Sequence, residues 1–134
     1  MDIKALIPQR EPIIMIDKIV SHSEVKTITS LTVKNTNLFV EENIFQSSGV
    51  IENIAQSSAA RMGMQTAKEG RKPLLGYIAS IKNLNISRLP VVGETIHTEI
   101  IVTNKINNII VVKAESRVED TIIANCELKV FIEI

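Results

Sequence analysis

The chain is short of cysteine, aromatic residues and excess charge. It has 134 residues with one cysteine, no tryptophan, and 3% aromatic side chains. Because Cys126 has no cysteine partner in the chain, an internal disulfide framework is excluded, which fits a reducing compartment. The scarcity of aromatic side chains argues against RNA-binding modules that stack bases on aromatic residues. Fifteen basic residues balance fifteen acidic ones, so no net field favours nucleic acid or an anionic membrane.

Long hydrophobic runs are also missing. No apolar stretch approaches the roughly 20 residues that a membrane-spanning helix needs. The N-terminal residues lack the charged and then apolar layout of a secretory signal. Two isolated histidines and one cysteine do not make a metal site, and the usual glycine-rich phosphate loops are absent. The sequence therefore predicts a soluble, cytoplasmic protein without metal or cofactor.

What the chain does contain is alternation of apolar and polar residues, interrupted by one helical segment. The helix is predicted to start with Ser47 or Ser48 as its N-cap and to end at Gly70. Its apolar stripe is predicted to comprise Ile51, Ile54, Ala55, Ser58, Ala59 and Met62. The alternating segments predict strands over residues 13–20, 24–33, 74–86, 95–105, 109–118 and 121–134.

The order of these elements predicts the fold class. Residues 1–12 and 34–47 lack a period and are expected to be irregular. Two strands, one long helix and four more strands favour an α+β protein, with an antiparallel sheet wrapped around one long central helix. We expect residues 1–134 to form a single domain. A sheet of this size exposes an edge, which predicts pairing with a second copy as a homodimer.

Three motifs resemble the beta-hydroxyacyl-acyl carrier protein dehydratases, which have the hotdog fold. The segment from Leu6 to Val20 is similar to the family's opening "PHRYPFLLVDRV". Residues 49–59 resemble its central-helix "iEamAQaag", and residues 89–94 resemble "RPVVPGD". The likeness spans nearly the whole chain. It implies a homodimer, or a higher oligomer, that binds acyl thioesters of acyl carrier protein or coenzyme A in fatty acid or polyketide-like lipid synthesis.

The resemblance also implies a site with one group missing. In the family, a loop histidine and a helix carboxylate perform the dehydration across a dimer interface. Glu52 falls at the carboxylate position, whereas Leu38 falls at the histidine position. Leu38 can act neither as acid nor as base, and both His22 and His97 have surface-facing patterns that do not match the catalytic position. We therefore expect impaired or absent dehydratase activity, and pairing with an active homologue.

The residues around Glu52 complete the predicted site. We expect substrate contacts from Leu38, Phe39, Ser48, Gly49, Val50 and Gln56. An alternative function is a thioesterase that uses Glu52 as base or nucleophile and the Gly49 and Val50 amides as an oxyanion hole. A purely structural interpretation makes Glu52 a first-turn acid that the helix dipole favours by about 0.3–1 kcal/mol.

Positive charge collects along the later part of the helix and its exit. The four cations are Arg61, Lys68, Arg71 and Lys72. Because carrier proteins and their phosphopantetheine arm are acidic, this set predicts a docking patch. A solvated helix end explains the same charges, since cations suit a helix C-terminus.

Overall fold

A six-stranded antiparallel sheet and one long helix make up most of the protein. The computed structural model describes residues 2–70 and 75–133. The elements are a 3-10 turn (Ile3–Ala5), β1 (Lys18–His22), β2 (Lys26–Thr32), β3 (Val40–Glu41), β4 (Ile44–Phe45), α1 (Ser47–Lys68), β5 (Leu75–Ile86), β6 (Thr95–Ile106), β7 (Ile109–Val118) and β8 (Thr121–Glu133).

The sheet wraps around α1. Its strand order is β1-β2-β6-β7-β8-β5, and every neighbouring pair is antiparallel. The helix packs across the inward face of the sheet, and the main core includes Ile54, Ile96, Ile100, Ile123 and Leu128. This arrangement is the hotdog fold, as the sequence predicts.

The strands that follow the helix agree best with the sequence patterns. On β7 every second residue from Ile110 to Val118 is buried, and on β8 the same holds from Ala124 to Ile132. Cys126 lies on this inner face, 5% exposed, and burial raises the pKa of its thiol to about 11. The thiol is therefore protonated and unreactive at neutral pH.

The first strand differs from its prediction. It runs from Lys18 to His22, so the predicted start at residue 13 is wrong and the strand ends two residues after the predicted end at residue 20. Residues 13–16 are instead held by side chains of α1, as described below. Side chains of the helix bond to the backbone N–H and carbonyl groups of this segment, in place of a neighbouring strand. The apolar segment is therefore not part of the sheet.

The loop before the helix contains a small hairpin that the sequence pattern missed. In this hairpin Val40 of β3 pairs with Phe45 of β4, and Glu41 pairs with Ile44. Glu42 and Asn43 have positive φ in the turn between the strands. Strands of two residues are too short to show an alternating pattern. The left-handed conformation of the turn is tolerated by asparagine, which occupies one of its two positions.

The helix begins one or two residues earlier than predicted. Gln46 is the N-cap, without a side-chain capping bond, and Ser47 is the first helical residue, so the prediction of a serine cap is wrong. The first turn of the helix is held by side-chain packing and not by a side-chain capping bond. A Cβ at Gly49 would lie 2.6 Å from the fully buried ring of Phe45, so glycine lets this ring sit against the first turn of the helix.

The outer face of α1 is covered by the start of the chain. Leu6, Ile7 and Ile16 form a second apolar cluster with Ala60. Gly63 permits this contact, because a Cβ there would lie 2.5 Å from the carbonyl oxygen of Leu6. The middle of α1 is thus enclosed between the sheet and the N-terminal segment. No helix within residues 2–70 and 75–133 combines the length and apolarity that crossing a membrane requires.

Candidate functional site

Glu52 lies in the second turn of α1 and is partly exposed. It is the sixth residue of a helix that starts at Ser47, and the first turn contains no acidic residue. The interpretation of Glu52 as a first-turn acid is therefore wrong, since the effect of the helix dipole falls off within the first turn. Its oxygen Oε1 accepts a hydrogen bond of 2.9 Å from Nε2 of Gln56, one turn later.

Gln56 connects Glu52 to the segment after Pro12. Its side chain is fully buried. The oxygen Oε1 accepts from the backbone N–H of Met15 at 2.6 Å, and Nε2 donates to the carbonyl of Ile13 at 2.8 Å as well as to Glu52. Because its amide is fully used, Gln56 positions Glu52 and the segment 13–15 together.

A buried polar network continues along the same face of the helix. Nδ2 of Asn53 donates to the carbonyl of Met15 at 2.7 Å, and its Oδ1 accepts from Oγ1 of Thr98 at 2.6 Å. Ser57 lies 2.8 Å from Oγ1 of Thr29, and Thr98 lies 2.8 Å from Oγ of Ser116. All of these side chains are fully buried.

The sequence analysis missed this network and misplaced the buried stripe. Ile51, Ala55 and Ala59 are only half-buried, whereas Asn53, Gln56 and Ser57 are fully buried. A signal was available, because the strands facing the helix carry threonine or serine at inward positions. Inward hydroxyls on a sheet need polar partners on the element that covers them.

The predicted substrate-binding residues divide into surface and core positions. Leu38 is 53% exposed, and Ser48 is also exposed, close to the start of α1. Phe39 is half-buried against the core. Gly49, Val50 and Gln56 are buried, so substrate contacts from these three residues stay a prediction.

The backbone amides at the helix start bear on the thioesterase alternative. The N–H groups of Gly49 and Val50 both point to the carbonyl of Gln46, at 2.9 and 3.2 Å. They are engaged inside the helix, so the expectation that they form an oxyanion hole has no geometric support. Ser47 and Ser48 precede these bonds and are exposed residues, and N–H groups in the first turn of a helix have no partner within the helix.

Neither histidine lies near Glu52. His22 is on β1, where its Nδ1 is 2.7 Å from Oγ1 of Thr27, close to the C-terminal half of α1. Burial lowers the pKa of His22, and the positive charges of Arg61 and Lys68 lower it further. A hydrogen bond with Gln65 raises the pKa but does not outweigh these effects. His97 is exposed on β6 between Ile96 and Thr98, which are buried on the helix side, so it projects from the outer face.

The predicted docking patch loses one member. Arg61 is 7% exposed and donates from Nη2 to the carbonyl of Glu24, so it cannot contribute to a docking surface. It is turned inward because it sits on the face of α1 that meets the sheet. Lys68 is exposed at the helix end, while Arg71 and Lys72 lie outside the described residues. Within the described ranges, no group of three His, Cys, Asp or Glu side chains is arranged to hold a metal ion.

Comparison with known proteins identifies relatives of this arrangement. The FabZ 3-hydroxyacyl-[acyl-carrier-protein] dehydratase of Colwellia psychrerythraea is 28% identical over 134 residues, covering 95% of this chain and 88% of that protein. The FabZ of Listeria monocytogenes serotype 4b (strain CLIP80459) is 25% identical over 132 residues, covering 94% and 90%.

Solved structures share the fold. The dehydratase heterocomplex ApeI:P from Xenorhabdus doucetiae contains a chain that matches with a TM-score of 0.92 at 12% identity, covering 100% of this chain and 92% of that one. A hypothetical thioesterase with coenzyme A from Streptococcus pneumoniae matches with a TM-score of 0.72 at 8% identity, covering 87% and 84%. The model of one family, ApeP-like (ApeP dehydratase), matches residues 1–133. The chain belongs to the ApeP-like family of hotdog-fold dehydratases.

Proposed function

We propose that this chain is a cytoplasmic dehydratase-like subunit that binds an acyl thioester, of acyl carrier protein or coenzyme A, beside the N-terminal half of α1. By itself it does not dehydrate 3-hydroxyacyl groups. The observation that carries the proposal is Glu52, which Gln56 orients at 2.9 Å, with the exposed Leu38 at the position that matches the family histidine.

The chemistry explains why one carboxylate is not enough. Dehydration of a 3-hydroxyacyl thioester removes a proton from C2 and expels the hydroxyl from C3, giving an enoyl thioester and water. A base must take the proton and an acid must protonate the leaving hydroxyl. Glu52 can serve one of these roles. His22 and His97 lie elsewhere in the fold, so the second group must come from another chain.

The edge of the sheet offers a place for that second chain. β5 is an edge strand of twelve residues and exposes Tyr77, Ile78, Ile81 and Leu84, each by 39% or more. A long, apolar edge strand in a soluble protein normally pairs with another strand. We propose that β5 pairs with the edge strand of a second hotdog chain, which places the partner beside the site.

The partner that completes the site is a homologous dehydratase that retains the loop histidine. The Xenorhabdus protein with the same fold belongs to a dehydratase heterocomplex, which supports a mixed assembly here. A homodimer of this chain pairs through the same edge but carries Leu38 twice. We therefore expect homodimers to bind acyl thioesters without converting them.

An activity assay separates these states. The purified chain, a histidine-bearing dehydratase from the same cell, and their coexpressed complex are each given a 3-hydroxyacyl-carrier protein, and products are identified by mass spectrometry. We expect no enoyl product from this chain alone. In the complex, Glu52→Gln should lower the rate at least tenfold, whereas Glu42→Gln, an exposed acid in the β3–β4 turn, should not. Enoyl product from the chain alone would contradict the proposal.

A second measurement tests the pairing edge. Ile81→Lys puts a charge into the proposed interface, and light scattering should show a shift from dimer to monomer. Ile106→Lys is the matched control, because Ile106 is 58% exposed at the end of β6, away from β5. Equal masses for the two variants would show that β5 is not the interface.

The same assay also addresses thioester hydrolysis. A thioesterase that uses Glu52 releases the free acid and the thiol carrier. If the chain releases the free acid and this release depends on Glu52, the chain is a thioesterase and not a non-catalytic subunit. The backbone amides of Ser47 and Ser48 would then be the oxyanion donors to test.

A further inference from the structure

The C-terminal half of α1 borders a cavity that the proposed function does not use. Its volume is about 460 Å³, and it lies between the helix, the end of the sheet and the β1–β2 turn. Pockets that bind small molecules usually have volumes of about 300–1,000 Å³. Arg61 is nine residues after Glu52, which corresponds to about 13 Å along the helix axis. The cavity is therefore separate from the proposed thioester site.

Arg61 brings an uncompensated positive charge to this cavity. The residue is 7% exposed, and its Nη2 donates to the carbonyl of Glu24, but Nε is buried without a partner. Within residues 2–70 and 75–133, no carboxylate lies within ion-pair distance of its guanidinium. Burial alone lowers the pKa of Arg61. A buried charge without a counterion is strongly destabilising, so an anion that reaches it would be stabilised.

The rest of the cavity wall mixes apolar and polar side chains. Met62 of the helix and Val102, Ile110 and Ile132 of the sheet contribute hydrocarbon surface. Asn107 and Asn108 contribute polar groups. The two carboxylates that border the cavity, Glu24 and Glu69, belong to exposed residues, as does Lys105. The charge inside is thus positive, and the acids are at the rim.

We propose that this cavity binds a small monocarboxylate with an apolar body, such as a medium-chain fatty acid or an aryl carboxylate. The carboxylate accepts from hydrogens on the two Nη atoms of Arg61, of which only Nη2 is bonded in the structure, to the carbonyl of Glu24. The hydrocarbon lies against Met62, Val102 and Ile110. An arginine presents two parallel N–H donors, which match the two oxygens of a carboxylate. A partly apolar wall suits an acid with a hydrocarbon tail better than a small inorganic anion.

Direct binding tests the proposal without any thioester or partner. Calorimetric titration of the full chain with octanoate, decanoate and phenylpropanoate tests aliphatic and aryl acids, each below the concentration at which it forms micelles. Decanol and inorganic phosphate are the comparison probes. We expect saturable binding of at least one acid, at least tenfold tighter than that of decanol or phosphate.

Three variants identify the site. Arg61→Gln should weaken binding at least tenfold, and Lys68→Gln, an exposed cation on the same helix, should change it less than twofold. Ile110→Phe fills the cavity while keeping Arg61 and should also abolish binding. Ile109→Phe, on the opposite face of β7, should not. Thermal unfolding of each variant confirms that it folds.

Two results would contradict the proposed carboxylate site. Absence of binding by every acid would mean that the cavity holds only water, and the proposal would be wrong. Binding that survives both Arg61→Gln and Ile110→Phe would place the acid elsewhere, with the same consequence. Failure here would leave the dehydratase assay of the proposed function unaffected, because that assay reports on Glu52.

Discussion

The largest buried polar side chains of the two halves of α1 differ in how fully they are hydrogen-bonded. In the first half, Asn53 and Gln56 are fully buried, and each side chain bonds to the backbone near Met15. In the second half, Arg61 is almost as buried, yet its Nε has no partner and a cavity lies beside it.

The difference separates positions that define the fold from positions that are open to a ligand. A satisfied network makes one arrangement of neighbours much better than any other, because each lost bond leaves a buried group unpaired. A buried charge without hydrogen-bond partners, beside a cavity, does not favour one arrangement of the neighbouring residues over another. We therefore expect the first half of α1 to be sensitive to isosteric substitutions and the second half to be tolerant of them.

Asn53→Leu should have the largest effect. It removes the partners of the Met15 carbonyl and of the Thr98 hydroxyl, both buried. We expect the free energy of unfolding to fall by about 3 kcal/mol, as measured by urea denaturation. Asn35→Ala, an exposed change in the loop after β2, should stay within about 0.5 kcal/mol of the parent. A small effect of Asn53→Leu would show that the network is not a determinant of stability.

Two glutamines on the same helix give a direct comparison. Gln56→Leu breaks three hydrogen bonds and should cost about 2 kcal/mol of unfolding free energy. Gln65→Leu removes a long bond of 3.3 Å to Glu69 and the contact with His22, and should change stability by less than about 0.5 kcal/mol. If the two variants lose equal stability, the contrast between the halves of α1 is not real.

Arg61→Met should be neutral or slightly stabilising. It removes a desolvated charge and leaves the Glu24 carbonyl, which belongs to an exposed residue and can bond to water. We expect the free energy of unfolding to rise by up to about 1 kcal/mol. A large loss in the same urea titration would indicate that Arg61 has a structural partner.

His22 should give the smallest effect, a dependence of stability on pH. Because burial lowers its pKa in the folded state, the unfolded chain binds the proton more readily. His22 therefore reduces stability as the pH falls through about 6.5, the usual histidine value.

The comparison of two pH values isolates this contribution. Urea midpoints at pH values near 7.5 and 5.5 should differ less in His22→Asn than in the parent chain. His97→Gln is the control. Because this variant keeps His22, the contribution of His22 to the difference in urea midpoint between the two pH values should be unchanged. An unchanged difference in His22→Asn would contradict the prediction.

The sheet was more predictable from sequence than the site. Alternation on β7 and β8 identified the buried residues, because each strand has one face on the core. The extent of α1 was also close, ending at Lys68 where Gly70 predicted a stop. These features depend on local pattern alone.

What failed depends on contacts between distant segments. Asn53 looks polar in sequence, but its partners lie on β6 and before β1. Arg61 looks like a surface cation on a helix, yet it faces the sheet and the β1–β2 turn. The residues that could complete the site with Glu52 belong to another chain in our proposal, so no property of this sequence alone identifies them.

The contact at Gly63 also bears on how the chain folds. The 3-10 turn precedes the first four strands in the chain, yet Leu6 beside it packs on the helix that follows those strands. The start of the chain must stay unpaired until that helix forms, which closes a long loop at an entropic cost. A side chain at position 63 would remove the recess into which the segment docks, so Gly63 allows a segment from before β1 to pack on α1 after the helix has formed.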